Sequence, residues 1–370
     1  MKHLIVGAGV SGIVKAINIK RHFPNDDVLV IEHLKEPLKK LLATGNGRCN
    51  LGNANLDLEK YNHPDFAKKI KTLDNKTLNE FYKSIHVETK IIDGLIYPNS
   101  ESAVTIKTAL LRECSNLGVK INVEESLIDY KIIDNEIGVI TTKNKYVVDK
   151  LYFATGLKSS PKLGSDGSLL SILNDHGYTI KEIKPGLCPI FVKENLKVLD
   201  GVRVKGTVSL FKGNKLVWKE DGEILFKKNA LSGIVIMNAS SIIARDLKEN
   251  YIVSLDIINK FEDDYLRKSL KQNGKEVFLS SLFNGKVVEY IAKIKTNDLI
   301  KLLRNIEFHF VSLFDYEFSQ VSIGGISIDE INSNLESKKE KNVFFLGELI
   351  DIDGPCGGYN LSWAFASALI

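Results

Sequence analysis

At 370 residues the chain is longer than one hydrophobic core usually serves, so two or three structural units are expected, one inserted in another. Apolar residues make up 44% and charged residues 26%, and the net charge is only +4 with the lysines scattered, which speaks against a polyanionic partner; no nucleic acid is expected. Cys49, Cys114, Cys188 and Cys356 include no C-x-x-C pair, which excludes a zinc ribbon and a local dithiol centre and fits reduced thiols in a cytoplasm; no metal is expected.

The start, Met1-Lys2-His3 before Leu4-Ile5-Val6, has a faint leader character, but glycines interrupt it and no small-residue cleavage site follows. No stretch has the length of a membrane span, so a soluble chain without a membrane partner is expected. Residues 3–6 read as a buried strand, Gly7 to Gly12 as a turn, Val14 to Phe23 as a helix stopped by Pro24, and Val28 to Ile31 as a second strand. That order makes a βαβ unit with a parallel sheet.

A loop rich in Gly and Asn spans 37–55, and helical patterns cover 65–84 and 102–117. Short strands are expected at 119–123, 137–141 and 146–149, the last two as a hairpin beside the sheet, and Leu151 to Ala154 returns to the buried type. After Pro185 the texture changes to short strands at 187–193, 202–211, 215–218 and 223–227 between Gly and Asn turns, as in a small antiparallel barrel. Residues 262–304 turn helical, and 306–314 are strand-like.

Four motifs carry chemistry. Gly7-Ala8-Gly9-Val10-Ser11-Gly12 is a full G-x-G-x-x-G between strand and helix, with Glu32 ending the next strand. Gly7 allows the tight turn, Gly9 lets a pyrophosphate approach the backbone at Val10 and Ser11, Gly12 lets helix and strand pack, and Glu32 accepts from ribose hydroxyls. This says that a dinucleotide binds and leaves NAD and FAD open. Next, Lys39-Lys40-Leu41-Leu42-Ala43-Thr44-Gly45-Asn46-Gly47-Arg48-Cys49-Asn50 places a guanidinium in a glycine loop, suited to a phosphate or the polar edge of a flavin. Third, Ala154-Thr155-Gly156 ends a buried strand in small residues that let an extended dinucleotide pass.

The fourth motif decides between the cofactors. Phe344-Phe345-Leu346-Gly347-Glu348 delivers a carboxylate for ribitol hydroxyls, and after Asp351 and Asp353 the run Gly357-Gly358-Tyr359-Asn360-Leu361 opens a helix. Amides there are expected to face the N1 and C2 carbonyl edge of a flavin, which becomes negative on reduction. Cys49 and Cys356 read as packing residues rather than nucleophiles, Tyr359 as either a ring partner of the flavin or an anchor, and Asp351 and Asp353 as makers of turn hydrogen bonds.

These motifs together resemble the HI0933-like or YhiN-like flavoprotein family, whose members include aminoacetone oxidases and bile-acid enone reductases. The loop K-x-L-x-(S/T)-G-x-G-R-C-N corresponds to Lys40 to Asn50, and G-E-x-x-D-x-D-G-x-x-G-G-Y-N-L to Gly347 to Leu361. The resemblance implies an α/β Rossmann-type FAD/NAD(P)-binding fold with a parallel sheet, interrupted by an antiparallel β-barrel with a small helical subdomain. The expected division is 1–185 for the first part of the FAD domain, 186–320 for the insert, and 321–370 for the return segment. Lys227-Lys228 stand where the family commonly has Thr-His, Leu157 where a second Gly is usual, and Asn46 where a Gly is usual.

The reading is an FAD-dependent oxidoreductase that moves a hydride between flavin and a small-molecule substrate in a cavity under the insert, with NAD(P)H docking transiently as reductant. No side chain is nominated as acid or base, and the oligomeric state is unassigned. The alternatives are an amine oxidase using oxygen, a flavin-dependent RNA-modifying or redox-sensing protein, and an NAD dehydrogenase without flavin.

Overall fold

The computed structural model describes residues 1–134 and 136–370. The chain divides into two compact units, 1–184 with 320–370, and 185–319.

The first unit is built on a parallel sheet of five strands in the order Val343–Phe345, Lys150–Phe153, Lys2–Val6, Asp27–Glu32, Lys120–Val123. The central strand is covered on both faces, with Leu4 and Ile5 fully buried, which is why it reads as a continuous apolar run. Each such side chain contributes about 1.5–3 kcal/mol of burial. The helix Val10–His22 follows the central strand, and the helix Tyr359–Leu369 returns beside it, where Ser11 Oγ donates to Ala364 O at 2.9 Å. The ends of the sequence are thereby joined within one core.

Two expectations for this unit are refined. The helical pattern at 65–84 is two helices, Pro64–Ala67 and Asn75–Ser84, because Asp74 caps the second by accepting from Thr77 N at 2.9 Å. The hairpin beside the sheet is a three-stranded meander, Leu127–Ile133, Glu136–Thr141 and Lys145–Val148. Its first strand is mostly exposed, so its sequence carries little apolar signal.

The second unit holds a closed antiparallel barrel of six strands: Ile190–Val192, Ala230–Ser232, Lys215–Lys227, Arg203–Lys212, Tyr251–Asp256 and Ile306–Leu313. Lys215–Lys227 is one strand where two, at 215–218 and 223–227, are expected from the sequence. Gly222 pairs with Gly206, and a Cβ on Gly206 would stand 2.4 Å from Asp256 O, so the glycine serves close strand approach rather than a turn. The helices Ile234–Arg245, Asp263–Leu282, Gly285–Ala292 and Leu299–Arg304 complete this unit.

Candidate cofactor site

The strands Lys2–Val6, Asp27–Glu32 and Lys150–Phe153 end side by side, and the turns that follow them line one cleft with about 1570 Å³ of space, solvent at its mouth included. Crevices outside the carboxyl ends of parallel strands are where such sheets bind ligands. Gly7, Gly9, Val10, Ser11, Glu32, Lys40, Thr44, Ala154, Thr155, Gly156, Glu348, Asn360 and Leu361 all contribute to its wall.

The three glycines of the first turn have different reasons. Gly7 takes φ +102°, and a Cβ there would lie 2.6 Å from Ala154 O. At Gly12 a Cβ would lie 1.9 Å from Gly7 O, so helix and turn could not pack. Gly9 has φ −72° and nothing within 3.9 Å of where a Cβ would be. Neither backbone nor packing asks for glycine at this position, and the open space fits a dinucleotide's diphosphate at the uncapped helix start.

Glu32 is buried and already employed: Oε2 accepts from Ala8 N at 2.7 Å and Oε1 from Leu34 N at 2.9 Å. Oε2 keeps a second lone pair, while Oε1 also lies 3.2 Å from His33 Nδ1. Glu348 is the hub of a second network. Its Oε2 accepts from Lys40 Nζ at 2.7 Å and its Oε1 from Ser322 N at 2.8 Å and from Ser159 Oγ, which in turn accepts from Lys40. Ser159 and Ser322 were not foreseen, and no local pattern marks them, since they earn their place through residues 26 to 189 positions away.

The loop after Lys40 is tightly wound, with Gly45, Asn46, Gly47 and Cys49 all at positive φ. Arg48 pairs with Glu101 and lies 4.4 Å over the Tyr97 ring; it is not among the cleft-lining residues, and neither are Gly45, Gly47, Cys49 and Asn50. Cys49 is fully buried, and burial pushes its thiol up to about 12 against a smaller opposing pull from a Thr44 hydrogen bond. With its amide oriented to satisfy its neighbours, Asn50 accepts from Gly358 N at 3.1 Å, tying this loop to the start of the last helix.

Around that start, Gly347, Gly357 and Gly358 all have positive φ, and a Cβ on Gly358 would stand 2.4 Å from the Gly52 backbone. These three and Gly12 shape the backbone behind the cleft. Tyr359 is an anchor: its ring meets Tyr61 edge-on at 5.5 Å, and its hydroxyl accepts from Asp57 N at 3.3 Å. Asp351 accepts from Asn62, and its other oxygen lies 3.1 Å from His63 Nε2. The helix Tyr359–Leu369 has no side-chain cap and no acid in its first turn, and its Asn360 and Leu361 face the cleft. Among the described residues no group of His, Cys, Asp and Glu is placed to hold a metal, and no helix is long and apolar enough to cross a membrane.

Residues 1–370 match the family model for the HI0933-like protein Rossmann domain. The chain belongs to the HI0933-like family. It is 29% identical over 395 residues to the 3-dehydro-bile acid delta(4,6)-reductase of Clostridium scindens, covering 99% of this chain and 97% of that protein. It is 26% identical to the ribosomal RNA dihydrouridine synthase of Escherichia coli K12, covering 99% of this chain and 95% of that one. In fold it is similar to the open form of a flavocytochrome c3 fumarate reductase, with a TM-score of 0.51 at 13% identity, over 99% of this chain and 76% of that chain.

Proposed function

We propose that this FAD-binding oxidoreductase reduces a carbon–carbon double bond conjugated to a carbonyl in a small organic substrate, with NAD(P)H as the electron source. The observation that carries the reading is that the first turns of two helices line one cleft, through Gly9 to Ser11 and through Asn360 and Leu361, neither helix capped by a side chain and neither with an acid in its first turn. Two such ends suit a ligand with two negative regions: a diphosphate, and a ring edge that gains charge on reduction.

FAD, when bound, supplies the two-electron redox chemistry. The chain's residues bind and orient. Val10 and Ser11 amides would hold the diphosphate, Glu32 and Glu348 would take sugar and ribitol hydroxyls, and Lys40 fixes the Glu348 carboxylate in place. In the net reaction one NAD(P)H gives a hydride to the carbon β to the carbonyl, solvent gives a proton to the α carbon, and NAD(P)⁺ leaves.

The choice of substrate class is supported by the relatives' names. A delta(4,6)-reductase of a 3-oxo substrate and a dihydrouridine synthase both describe saturation of a double bond conjugated to a carbonyl. A small molecule is favoured over RNA because residues 185–319 carry 21 Lys and Arg against 17 Asp and Glu, without a basic stripe in the sequence.

Anaerobic titration of the FAD-loaded protein with NADH and NADPH tests the proposal, followed by a conjugated enone, a uridine-containing RNA, or oxygen. Bleaching by a nicotinamide and recovery of colour by the enone is the expected result. Recovery only with RNA moves the substrate to nucleic acid. Bleaching only by an amine, with recovery in oxygen, makes the chain an oxidase.

A further inference from the structure

Between the strand Lys150–Phe153 and the helix Leu169–Asp175 the chain runs as irregular backbone with a single turn, Pro161–Leu163. Leu157 and Leu169 are buried at its two ends, and no apolar side chain between them is buried. Leu163, Gly164, Ser165 and Asp166 nonetheless form part of the cleft wall. The segment is therefore held over the cleft mainly by polar contacts.

Those contacts form two clasps. At the first, Ser159 bridges Lys40 and Glu348, and Lys158 N donates to Ser322 Oγ at 3.1 Å. At the second, Asp166 lies 3.8 Å from His33 Nε2, while His33 Nδ1 is 3.2 Å from Glu32 Oε1. Gly164 sits so close to Leu34 that a Cβ would approach its Cδ1 to 2.8 Å. Gly156, Ser160, Gly164 and Gly167 all have positive φ, so backbone turns set the path between the clasps.

We propose that residues 158–168 are a strap that closes over the bound dinucleotide, with Asp166–His33 and Ser159–Lys40–Glu348 as its latches, so that cofactor release requires the strap to open. The inference rests on the cofactor reading above. A segment with few buried apolar contacts opens at low free energy compared with the core, and partly exposed polar contacts hold it weakly. Closure sequesters the ligand, and opening sets its release rate.

The test uses full-length protein with and without FAD. Lys162 is exposed on the strap and offers a tryptic site. Cleavage there is expected to slow about fivefold or more when FAD is bound, in keeping with local opening as the rate-governing step. Asp166→Ala is expected to speed FAD release about two- to fivefold, as loss of a partly exposed polar contact implies. Ser159→Ala, which removes hydrogen bonds to two charged groups, is expected to speed it about tenfold or more. Equal cleavage of apo and loaded protein, together with unchanged release from Asp166→Ala, would overturn the strap while leaving the cofactor reading intact. A wild-type protein that takes up no FAD overturns the cofactor reading and the strap with it.

Discussion

Lys40 Nζ stands 2.7 Å from Glu348 Oε2 across 308 positions of sequence. The pair joins the loop that follows the nucleotide unit to the strand end that precedes the last helix, and both side chains are mostly shielded, at 29% and 21% exposure. Glu348→Gln leaves Lys40 and Ser159 facing a neutral amide and is expected to cost about 1.5–3 kcal/mol, the range for hydrogen bonds to charged groups. Because Lys40 acts through Glu348, the double variant with Lys40→Met should be little worse than Glu348→Gln alone. Urea unfolding and FAD titration of the four proteins measure this, and additive losses would refute the shared network.

Gly9→Val and Gly12→Ala separate ligand space from packing space. Position 9 has an ordinary φ and no close neighbour, so Gly9→Val should fold with a melting temperature within a few degrees of wild type and fail to retain FAD. Position 12 has Gly7 O at 1.9 Å from a Cβ, so Gly12→Ala should lose about 3 kcal/mol or more whether or not FAD is present. Thermal melts of apo protein and flavin absorbance after desalting distinguish the two. Normal FAD retention by Gly9→Val would place the diphosphate elsewhere.

Arg48 was expected to meet a phosphate or a flavin edge, and its observed partners change that prediction. It pairs with Glu101, and Lys90 lies 2.7 Å from the other oxygen of the same carboxylate. Arg48→Ala should therefore leave the FAD dissociation constant within about twofold and lower stability by about 1 kcal/mol, the scale of a partly exposed cation–π contact. A tenfold loss of FAD affinity with unchanged stability would restore the direct role.

The parts legible in the sequence are those in which chemistry and spacing are local. Gly7 to Gly12 and Glu32 lie within one βαβ unit, and the structure adds a partner not read from the sequence, Ala8 N, which donates to Glu32. The buried strands announce themselves as apolar runs. What escaped reading depends on long-range closure: Ser159, Ser322, His33 and Asp166 are unremarkable residues until the sheet brings their segments together. Tyr251–Asp256 was missed for a related reason, since its barrel partners lie at Thr207–Lys212 and Ile306–His309 and no turn marks it as half of a hairpin.

The cysteines give a chemical test of the same geometry. Burial pushes Cys49 and Cys114 up to about 12 and Cys188 up to about 11, so all three stay protonated at neutral pH. Cys356 is only half-buried, with its sulfur 3.8 Å from Gln320 Oε1. Iodoacetamide on native protein should label Cys356 at least about tenfold faster than the others, because the thiolate is the nucleophile and access limits the rest. Peptide mapping by mass spectrometry reads the order, and early labelling of Cys49 would contradict its packing role.

His176 gives the pH prediction. Its Nδ1 is 3.1 Å from Glu340 Oε1 and its Nε2 is 3.1 Å from Asp129 Oδ1, while its ring stacks on Tyr130 at 3.9 Å. Glu340 is also held by the hydroxyls of Tyr130 and Tyr178. Burial draws the His176 pKa down, but the hydrogen bonds to Asp129 and Glu340 outweigh it, leaving the value above the ordinary 6.5. Both ring nitrogens can donate only in the imidazolium form. For a pKa raised by folding, the stabilisation is complete below the unfolded value and disappears as pH rises through the folded one. His176→Gln should thus be most destabilised relative to wild type near about pH 5.5, with the gap shrinking by about pH 9. Asp129, whose pKa is lowered, stays ionised across that window. Urea unfolding at the two pH values decides it, and a gap that is constant or widens with pH would show that His176 is not held as a cation.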